Sequence, residues 1–180
     1  MVILAAIMMS GLSFAQDKGS MYVGGGFSGS YHNNNGFKQL HMDIAPEFGM
    51  FIADDLSIGA FINTGVGKTK NSNWGNSSYT TKTVGLGVKG RYYLCISDYF
   101  YYTPTASITL TPMYSVAGHD NATTYGIDLD IAQFEYRPDY NYGLYVNLLG
   151  FYALASSNKN VTSSSSGLAI SPSVGARFYF

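Results

Sequence analysis

Residues 168–180 read LAISPSVGARFYF, and their side chains alternate between two kinds along the stretch. Such a period of two is typical of a β-strand with two distinct faces. The apolar face carries Leu168, Ile170, Pro172, Val174, Ala176, Phe178 and Phe180. The other face carries Ala169, Ser171, Ser173, Gly175, Arg177 and Tyr179.

Seven more stretches follow the same rule, which gives eight predicted strands. They cover residues 21–30, 39–52, 56–67, 83–94, 100–111, 125–136 and 142–154. The sixth of the eight changes phase, because Ile127 and Leu129 are odd-numbered whereas Phe134 and Tyr136 are even-numbered. A β-bulge inserts one extra residue into a strand and would restore the phase, so we predict one near residues 132–133.

The connections between the predicted strands alternate in length. Three are tight, at residues 53–55, 97–99 and 137–140. Four are longer and polar, at residues 32–36, 68–78, 117–123 and 156–167, and stretches rich in Asn and Ser are typical of solvated loops. Short turns at one end and long loops at the other indicate strands that run up and down in sequence order.

The composition limits what class of protein this is. Among 180 residues there are 16 Tyr and 21 Gly, and the formal net charge is −1. Only 12% of the residues are charged, which is about half the usual share for a soluble domain. The balanced charge argues against a nucleic-acid partner, which would need a basic face. Cys95 stands alone, which excludes an intramolecular disulfide and a cysteine-clustered zinc site.

The first 15 residues differ from the rest of the chain. They begin MVILAAIMM and end with Ser13, Phe14 and Ala15, an apolar segment followed by small residues at the cleavage positions. This pattern is typical of a secretory signal peptide, and the segment is shorter than the about 20 residues of a membrane-spanning helix. We therefore assign residues 1–15 to a signal peptide and residues 16–180 to one barrel domain. A buried N-terminal helix is the alternative.

The two faces of the strands predict the surroundings of the barrel. A soluble barrel has an apolar interior, whereas a barrel of the bacterial outer membrane turns apolar residues to lipid and polar residues to its lumen. Here the polar face carries small residues and few charges, and strands of about 10–12 residues match a tilted crossing of a bilayer. We predict an all-β fold, an eight-stranded antiparallel up-and-down transmembrane β-barrel in the outer membrane.

The charged residues of the polar face should form a lumenal ion network with a structural role, because ions removed from water need partners. This predicted network comprises Asp43, Glu47, Lys89, Arg91, Asp128, Asp130 and Arg177. Heights counted from the turns predict that Arg91 and Arg177 pair with Glu47, and that Asp128 and Asp130 meet Lys89 higher up. The rest of the lumen should be filled by Tyr93, Tyr145 and Phe151.

The apolar face yields further expectations. Positions that should face hydrocarbon include Leu86, Val88, Ile108, Leu129, Leu148 and Val174. Aromatic residues suit the headgroup levels. One belt beside the short turns should contain Tyr92, Phe100, Tyr102, Tyr142 and Phe178, and another beside the long loops should contain Phe27, Tyr31, Tyr79, Tyr114 and Tyr152. Proline removes a ladder hydrogen bond, so a bulge or a strand end is expected at Pro46, Pro104, Pro112 and Pro172.

Two stretches resemble a known family. They are residues 44–59, IAPEFGMFIADDLSIG, and residues 172–180, PSVGARFYF. The chain resembles the small bacterial outer-membrane β-barrel proteins, especially the outer membrane β-barrel domain type common in Bacteroidetes. The resemblance implies a C-terminal assembly signal, Phe178 and Phe180, which the barrel-assembly machinery reads. It also implies periplasmic chaperones and outer-membrane lipid as partners, and location and fold rather than an activity.

Other candidate sites have weaker support. Residues 65–69, GVGKT, resemble the end of a phosphate loop, but Ile62 stands where that motif needs Gly. His119 and Asp120, with Ser115 nearby, are the best fragment of a catalytic triad, yet they lie in or beside a predicted loop, which supports catalysis poorly. The spacing of His32, His41 and His119 does not favour a metal site, and Trp74 is expected at the lipid–water boundary. We predict no catalytic residue, no cofactor and no metal.

These features lead to one expected role and two alternatives. Side chains fill the interior of a barrel of about eight strands, so a structural or surface-interaction role through the long loops is expected, with an unknown surface ligand. The alternatives are a porin-like gated channel for small solutes and, with less support, a lipid-directed outer-membrane enzyme.

Overall fold

The fold is given by a computed structural model that describes residues 17–34, 37–71, 77–115, 122–157, 162–170 and 172–180. Nearly all of these residues belong to one antiparallel sheet of 13 strands. Within these ranges no helix has the length and apolar character needed to cross a membrane. The predicted signal peptide at residues 1–15 lies outside the described residues.

The strands vary in length from three to 17 residues. In chain order they are β1 (Met21–Asn34), β2 (Phe37–Ala53), β3 (Leu56–Asn71), β4 (Ser77–Tyr92), β5 (Leu94–Ser97), β6 (Phe100–Tyr102), β7 (Thr105–Ser115), β8 (Ala122–Asp130), β9 (Gln133–Asp139), β10 (Tyr142–Asn147), β11 (Gly150–Ser157), β12 (Thr162–Ala169) and β13 (Ser173–Tyr179).

The sheet curls so that its first and last strands are neighbours. β1 pairs with β2 on one side and with β13 on the other, from Tyr22 opposite Tyr179 to Ser28 opposite Ser173. One edge of the sheet carries the tight turns at residues 54–55, 98–99 and 140–141, and we call it the turn end. The opposite edge is the loop end. At the loop end, hydrogen-bonded neighbours follow the order β4, β7, β8, β11 and β12. At the turn end, they follow the order β5, β6, β9, β10 and β13.

The structure confirms the all-β antiparallel class, but it has 13 strands where the sequence predicts eight. Three predicted strands are continuous, and five are each divided in two, at residues 93, 103–104, 131–132 and 148–149 and between Ala169 and Ser173. Pro104 and Pro172 lie within two of these interruptions because proline cannot donate to the ladder. Pro46 and Pro112 lie where the ladders to β3 and β4 skip two residue pairs.

A β-bulge lies at Ile131 and Ala132, beside the predicted position. Both backbone N–H groups donate to the carbonyl oxygen of Leu149, at N···O distances of 3.1 and 3.2 Å. Inward-facing residues are therefore even-numbered up to Asp130 and odd-numbered from Gln133 onwards. The predicted bulge is confirmed.

The neighbouring strand changes phase at the same level, which the alternation does not predict. Asn147 is buried, whereas beyond Leu148 and Leu149 the half-buried positions are even-numbered. Phe151 is consequently 48% exposed on the outer face, and Tyr152 is half-buried. The predictions that Phe151 fills the lumen and that Tyr152 joins the outer belt are wrong for this reason.

The strands extend farther towards the loop end than predicted. β2 and β3 have 17 and 16 residues, and β12 includes the serine run at residues 163–166. Much of the predicted long loops is therefore strand, because paired backbones satisfy their own hydrogen bonds even where both faces are polar. The connections at residues 35–36, 72–76, 116–121 and 158–161 lie outside the described residues.

Apolar side chains cover the outside of the sheet, and polar side chains fill its inside. The six residues predicted to face outward are exposed over 44–60% of their surface: Leu86, Val88, Ile108, Leu129, Leu148 and Val174. In contrast, Arg91, Glu135 and Arg177 are at most 1% exposed. A soluble protein has the opposite distribution, because water hydrates ions and excludes apolar groups. The outward placement of the six residues is confirmed.

The outer face also carries aromatic residues near both ends. At the turn end, Tyr92, Phe100, Tyr142 and Phe178 are exposed, and the rings of Phe100 and Tyr136 lie 5.0 Å apart. Of the predicted loop-end belt, Phe27 and Tyr31 are exposed, whereas the side chains of Tyr79 and Tyr114 lie outside the described residues. Tyr102, the remaining member of the predicted turn-end belt, is half-buried.

Candidate functional site

Four aromatic rings close the interior at the turn end. Tyr22, Phe51, Tyr93 and Tyr179 are all buried and pack together, with Phe51 and Tyr93 centroids 5.2 Å apart and Tyr22 and Tyr179 centroids 5.9 Å apart. Gly49 makes room for this packing, since a Cβ at that position would overlap the Tyr22 ring. We call these four residues the aromatic floor.

Glu47, on β2, accepts hydrogen bonds from three cations just above this floor. Arg177 Nε and Lys89 Nζ each lie 2.5 Å from one of its carboxylate oxygens, and Arg91 Nη2 lies 3.2 Å from Oε2. Lys89 and Arg91 come from β4, and Arg177 comes from β13. Because the Glu47 side chain has no exposed surface, its charge depends on these partners. The structure thus brings together four of the seven predicted network residues.

Glu135, on β9, is a second buried carboxylate that the sequence prediction missed. Arg137 Nε donates to its Oε1 at 2.6 Å, and Arg177 Nη1 and the Tyr179 hydroxyl also donate to it. Arg177 therefore links Glu135 to Glu47. The phase change that the sequence reveals near residues 132–133 implies that the odd-numbered residues after it face inward. Glu135 and Arg137 could have been identified as interior residues in this way. We refer to the connected set as the interior ion network: Glu47, Lys89, Arg91, Glu135, Arg137 and Arg177.

Arg91 is held by neutral partners as well as by the carboxylate. Its Nε donates to Thr105 Oγ1 at 3.1 Å and to Gln133 Oε1 at 3.2 Å. Its Nη1 lies 3.2 Å from the hydroxyl oxygens of both Tyr22 and Tyr93. These contacts join the ion network to the aromatic floor, so the two form one solid plug.

Aromatic faces cover the remaining sides of the arginines. The Arg177 guanidinium carbon lies 3.7 Å from the Tyr145 ring centroid, and that of Arg137 lies 3.8 Å from the Tyr179 centroid. Tyr145 fits there because Gly175 has no side chain: a Cβ on Gly175 would overlap both the Tyr145 ring and the carbonyl oxygen of Gly25. Tyr93 and Tyr145 are thus buried inside, where the sequence predicts them.

The other three predicted network residues lie apart, nearer the loop end. Asp130 accepts a hydrogen bond from Asn147 Nδ2 at 2.7 Å, and Asp43 lies 3.0 Å from His41 Nε2. Asp128 is half-buried on the same face as Asp130.

The prediction that Lys89 meets Asp128 and Asp130 is wrong. Lys89 instead reaches Glu47, and its Nζ lies 4.3 Å from the Phe61 ring centroid. This aromatic face on β3 attracts the ammonium group towards β2 and away from the aspartates on β8.

Several residues considered for catalysis fall outside the described part of the chain. These are His119 and Asp120, and the same holds for the side chains of His32 and Ser115 and for Trp74. Residues 65–69 lie within β3, with Gly65, Gly67 and Thr69 facing inward, so they form no phosphate loop. Among the described residues, no group of three or more His, Cys, Asp or Glu side chains is arranged to hold a metal ion.

A polar cavity of about 270 Å³ lies above the interior ion network. Its lining includes acidic side chains from Asp43, Asp128 and Asp130 and the cations Lys89, Arg91 and Arg177. The ion network and the aromatic floor separate the cavity from the turn end.

Comparison with known proteins gives a result for the fold. No protein-family model and no curated protein matches the chain. Neisserial surface protein A, from Neisseria, superposes with a TM-score of 0.60 at 16% identity, covering 91% of this chain and all of that one. The outer membrane protein OprG from Pseudomonas aeruginosa gives a TM-score of 0.56 at 12% identity, covering 93% of this chain and 99% of that one.

The structural neighbours are bacterial outer-membrane barrels. At these identities the likeness concerns the fold alone. It supports an outer-membrane location by fold similarity, in agreement with the apolar outer face, and it assigns no ligand or activity to this chain.

Proposed function

We propose that this chain is a closed barrel of eight passes in the bacterial outer membrane, with a plugged lumen and a structural or surface-interaction role. The observation that carries the proposal is the inverted distribution of polarity, with fully buried Arg177 and Glu135 inside and exposed aliphatic residues outside. Two observations support the count of eight passes: each divided strand continues in the same direction after its interruption, and β1 pairs with β13. We further propose membership in the Bacteroidetes-like outer membrane β-barrel domain type.

The plug supports a role other than free diffusion. Arginine, carboxylate and aromatic groups fill the turn-end half of the lumen, and side chains normally fill a barrel of about eight strands. We assign the surface or structural role to the loop end, where the strands extend beyond the apolar band.

Gel migration tests the barrel. The purified protein in detergent should migrate faster on a denaturing gel before boiling than after, because a closed barrel resists the detergent until it is heated. Identical migration before and after boiling would contradict the closed barrel.

A porin-like gated channel is the second candidate, and the polar cavity above the plug favours it. Single-channel recording in planar bilayers separates the two candidates. The plugged barrel should show no sustained conductance. The Glu47→Ala, Glu135→Ala double variant should open only if the plug is what blocks the passage. Stable conductance of the unaltered protein would favour the channel.

We assign no enzymatic role. The lipid-directed alternative is tested by assaying the protein for acyl hydrolysis or transfer on phospholipid vesicles. Activity that disappears in both the His119→Ala and the Asp120→Ala variants would establish that alternative.

We also propose that the C-terminal aromatic residues direct assembly. Phe178 is half exposed on the outer face of β13, where the barrel-assembly machinery could bind it, and Phe180 follows two residues later. Phe180→Ala should lower the amount of folded protein in the outer membrane and leave refolding of purified protein in detergent unchanged. A loss of both would point to a structural role for Phe180. Periplasmic chaperones and outer-membrane lipid are the other partners that we propose.

A further inference from the structure

The outer face bears a compact group of lysines near the loop end. Lys38 on β2, Lys68 and Lys70 on β3, and Lys82 on β4 are all exposed and occupy outward-facing positions on three adjacent strands. We call these four residues the lysine patch. In the described residues, no carboxylate forms an ion pair with any of them.

The register of the strands brings these lysines together. Lys38 lies directly opposite Lys70, and Lys68 is the next outward residue along β3. Lys82 lies opposite Val66, one outward position below Lys68. Directly opposed Cβ atoms lie about 5 Å apart and diagonal neighbours about 7–8 Å, so each lysine of the patch lies within reach of the next one.

Such an arrangement is unfavourable without an anion. Like charges directly opposite each other on a sheet destabilise it, and Lys38 and Lys70 are such a pair. Lysine is a common phosphate ligand, and several lysines close together would bind a group with two negative charges well.

The height of the patch identifies the source of the anion. On β3 the outward residues from Ile58 to Val66 form the apolar band, and Lys68 follows at once. On β4 the band from Val84 to Leu94 is likewise preceded by Lys82. Ten residues of strand tilted by about 40° span about 25 Å, the height of the apolar band of an outer-membrane barrel. The lysine patch therefore lies at the level of lipid headgroups.

The patch occupies one side of the sheet. At the same end, the outward residues described on β8, β11 and β12 are uncharged, among them Tyr125, Ala155 and Ser166. Lysines distributed around the whole loop end would be expected if they only attracted the protein to a charged membrane surface. A concentration on three neighbouring strands fits one bound molecule.

We propose that the lysine patch binds the anionic phosphate headgroup of one lipid in the leaflet at the loop end, with the acyl chains lying along the apolar residues of β2, β3 and β4. This inference rests on the proposed outer-membrane function and adds to it a lipid class and a binding position. Tyr31, exposed beside Leu40 in the outward row that contains Lys68, offers a ring at the headgroup boundary.

Native mass spectrometry of the full chain folded in uncharged alkyl-glycoside micelles tests the proposal. The probe is dioleoyl phosphatidic acid, compared with dioleoyl phosphatidylcholine, which has the same acyl chains and no net charge. We expect one phosphatidic acid to bind selectively, and replacement of all four lysines by Gln to weaken binding about tenfold or more. Replacement of the four by Arg should keep the affinity, and Lys18→Gln, at the turn end, should not alter it.

Three outcomes would overturn the proposal. They are equal affinity of the quadruple Gln variant, equal binding of phosphatidylcholine, and displacement of phosphatidic acid by inorganic phosphate at the same concentration. Heat-modifiable migration on a gel shows separately whether each variant is folded, so failure of the barrel proposal is distinguishable from failure of lipid selectivity. If the quadruple Gln variant does not fold, the Lys68→Gln, Lys82→Gln double variant replaces it, with an expected loss of about threefold.

Discussion

Arg177 carries a full charge without exposed surface, and it lies between two carboxylates from different strands. Its Nε contacts Glu47, its Nη1 contacts Glu135, and its flat face lies on Tyr145. Burial of an ion is costly unless its partners are complete, so removal of one partner should affect the whole network. This dependence makes the interior ion network sensitive to single substitutions.

Glu47→Ala would leave three cations facing one another in the absence of their shared carboxylate. We expect a loss of about 3–5 kcal/mol in the free energy of unfolding, measured by urea titration in detergent micelles or lipid vesicles. Asp43→Ala is the matched control, because Asp43 is half-buried and its described partners are His41 and Ser28; its effect should be much smaller. Equal stability of Glu47→Ala and the parent would mean that water replaces the carboxylate.

Glycine substitutions test how tightly the interior is packed. A Cβ on Gly175 would overlap the Tyr145 ring and the backbone of Gly25, whereas one on Gly90 would meet nothing within 4 Å. Gly175→Ala should therefore lower stability by about 1–3 kcal/mol, and Gly90→Ala should be close to neutral. The measurement is the midpoint of the heat-induced gel shift. Equal midpoints for the two variants would contradict the tight packing around Tyr145.

At the scale of the strand, alternation predicts most of what the structure shows. Each strand residue has one of two directions, so a period of two determines which side chains face outward. Alternation cannot predict where a strand changes phase because of a bulge in the strand that it pairs with. The alternation of the sequence shows the bulge at Ile131 and Ala132. The phase change at Leu148 and Leu149 arises because this strand pairs with the bulged one, and it exchanges the directions of the Phe151 and Tyr152 side chains.

The partners of the charged residues were predictable in part. Strand heights sufficed for Glu47 with Arg91 and Arg177, because all three follow from alternation and distance from the turns. Lys89 could not be assigned in this way, since its long side chain can reach several carboxylates and the Phe61 ring decides its direction. Details of this kind depend on the packing of distant strands.

The phase change gives a prediction for β11. Phe151→Arg should cost about 2–4 kcal/mol in the free energy of unfolding in lipid vesicles, as expected for arginine on the lipid face. Ile108→Arg on β7, which does not change phase, should cost a similar amount, and the inward Ser107→Ala should be mild. A mild effect of Phe151→Arg together with a large effect of Ile108→Arg would indicate that the Phe151 side chain faces the lumen.

At the scale of the whole molecule, the exposed acidic residues of the described chain all lie at one end. The turn end carries the acidic residues Asp17, Asp54, Asp98 and Asp139, and the loop end carries the lysine patch. The proposed topology places the loop end outside the cell, because the short turns of outer-membrane barrels face the periplasm. The orientation is therefore open to chemical labelling.

An amine-reactive reagent that does not cross the outer membrane should modify Lys70 in intact cells and leave Lys18 unmodified. After the outer membrane is permeabilised, Lys18 should react as well, because it is exposed at the turn end. Mass spectrometry of the digested protein measures both sites. Labelling of Lys18 and protection of Lys70 in intact cells would reverse the topology.

The pairing of β1 with β13 has a consequence for biogenesis. Arg177 contacts Glu47 across 130 positions of the chain, and the last strand supplies both this contact and the partner edge of the first. Contacts so distant in sequence form late, because a long loop of chain must be closed before they contribute. A chain that lacks its final nine residues would retain two buried carboxylates without their common arginine and an unpaired edge at β1. Loss of residues 172–180 should therefore lower the stability of the chain and leave it open to proteolysis.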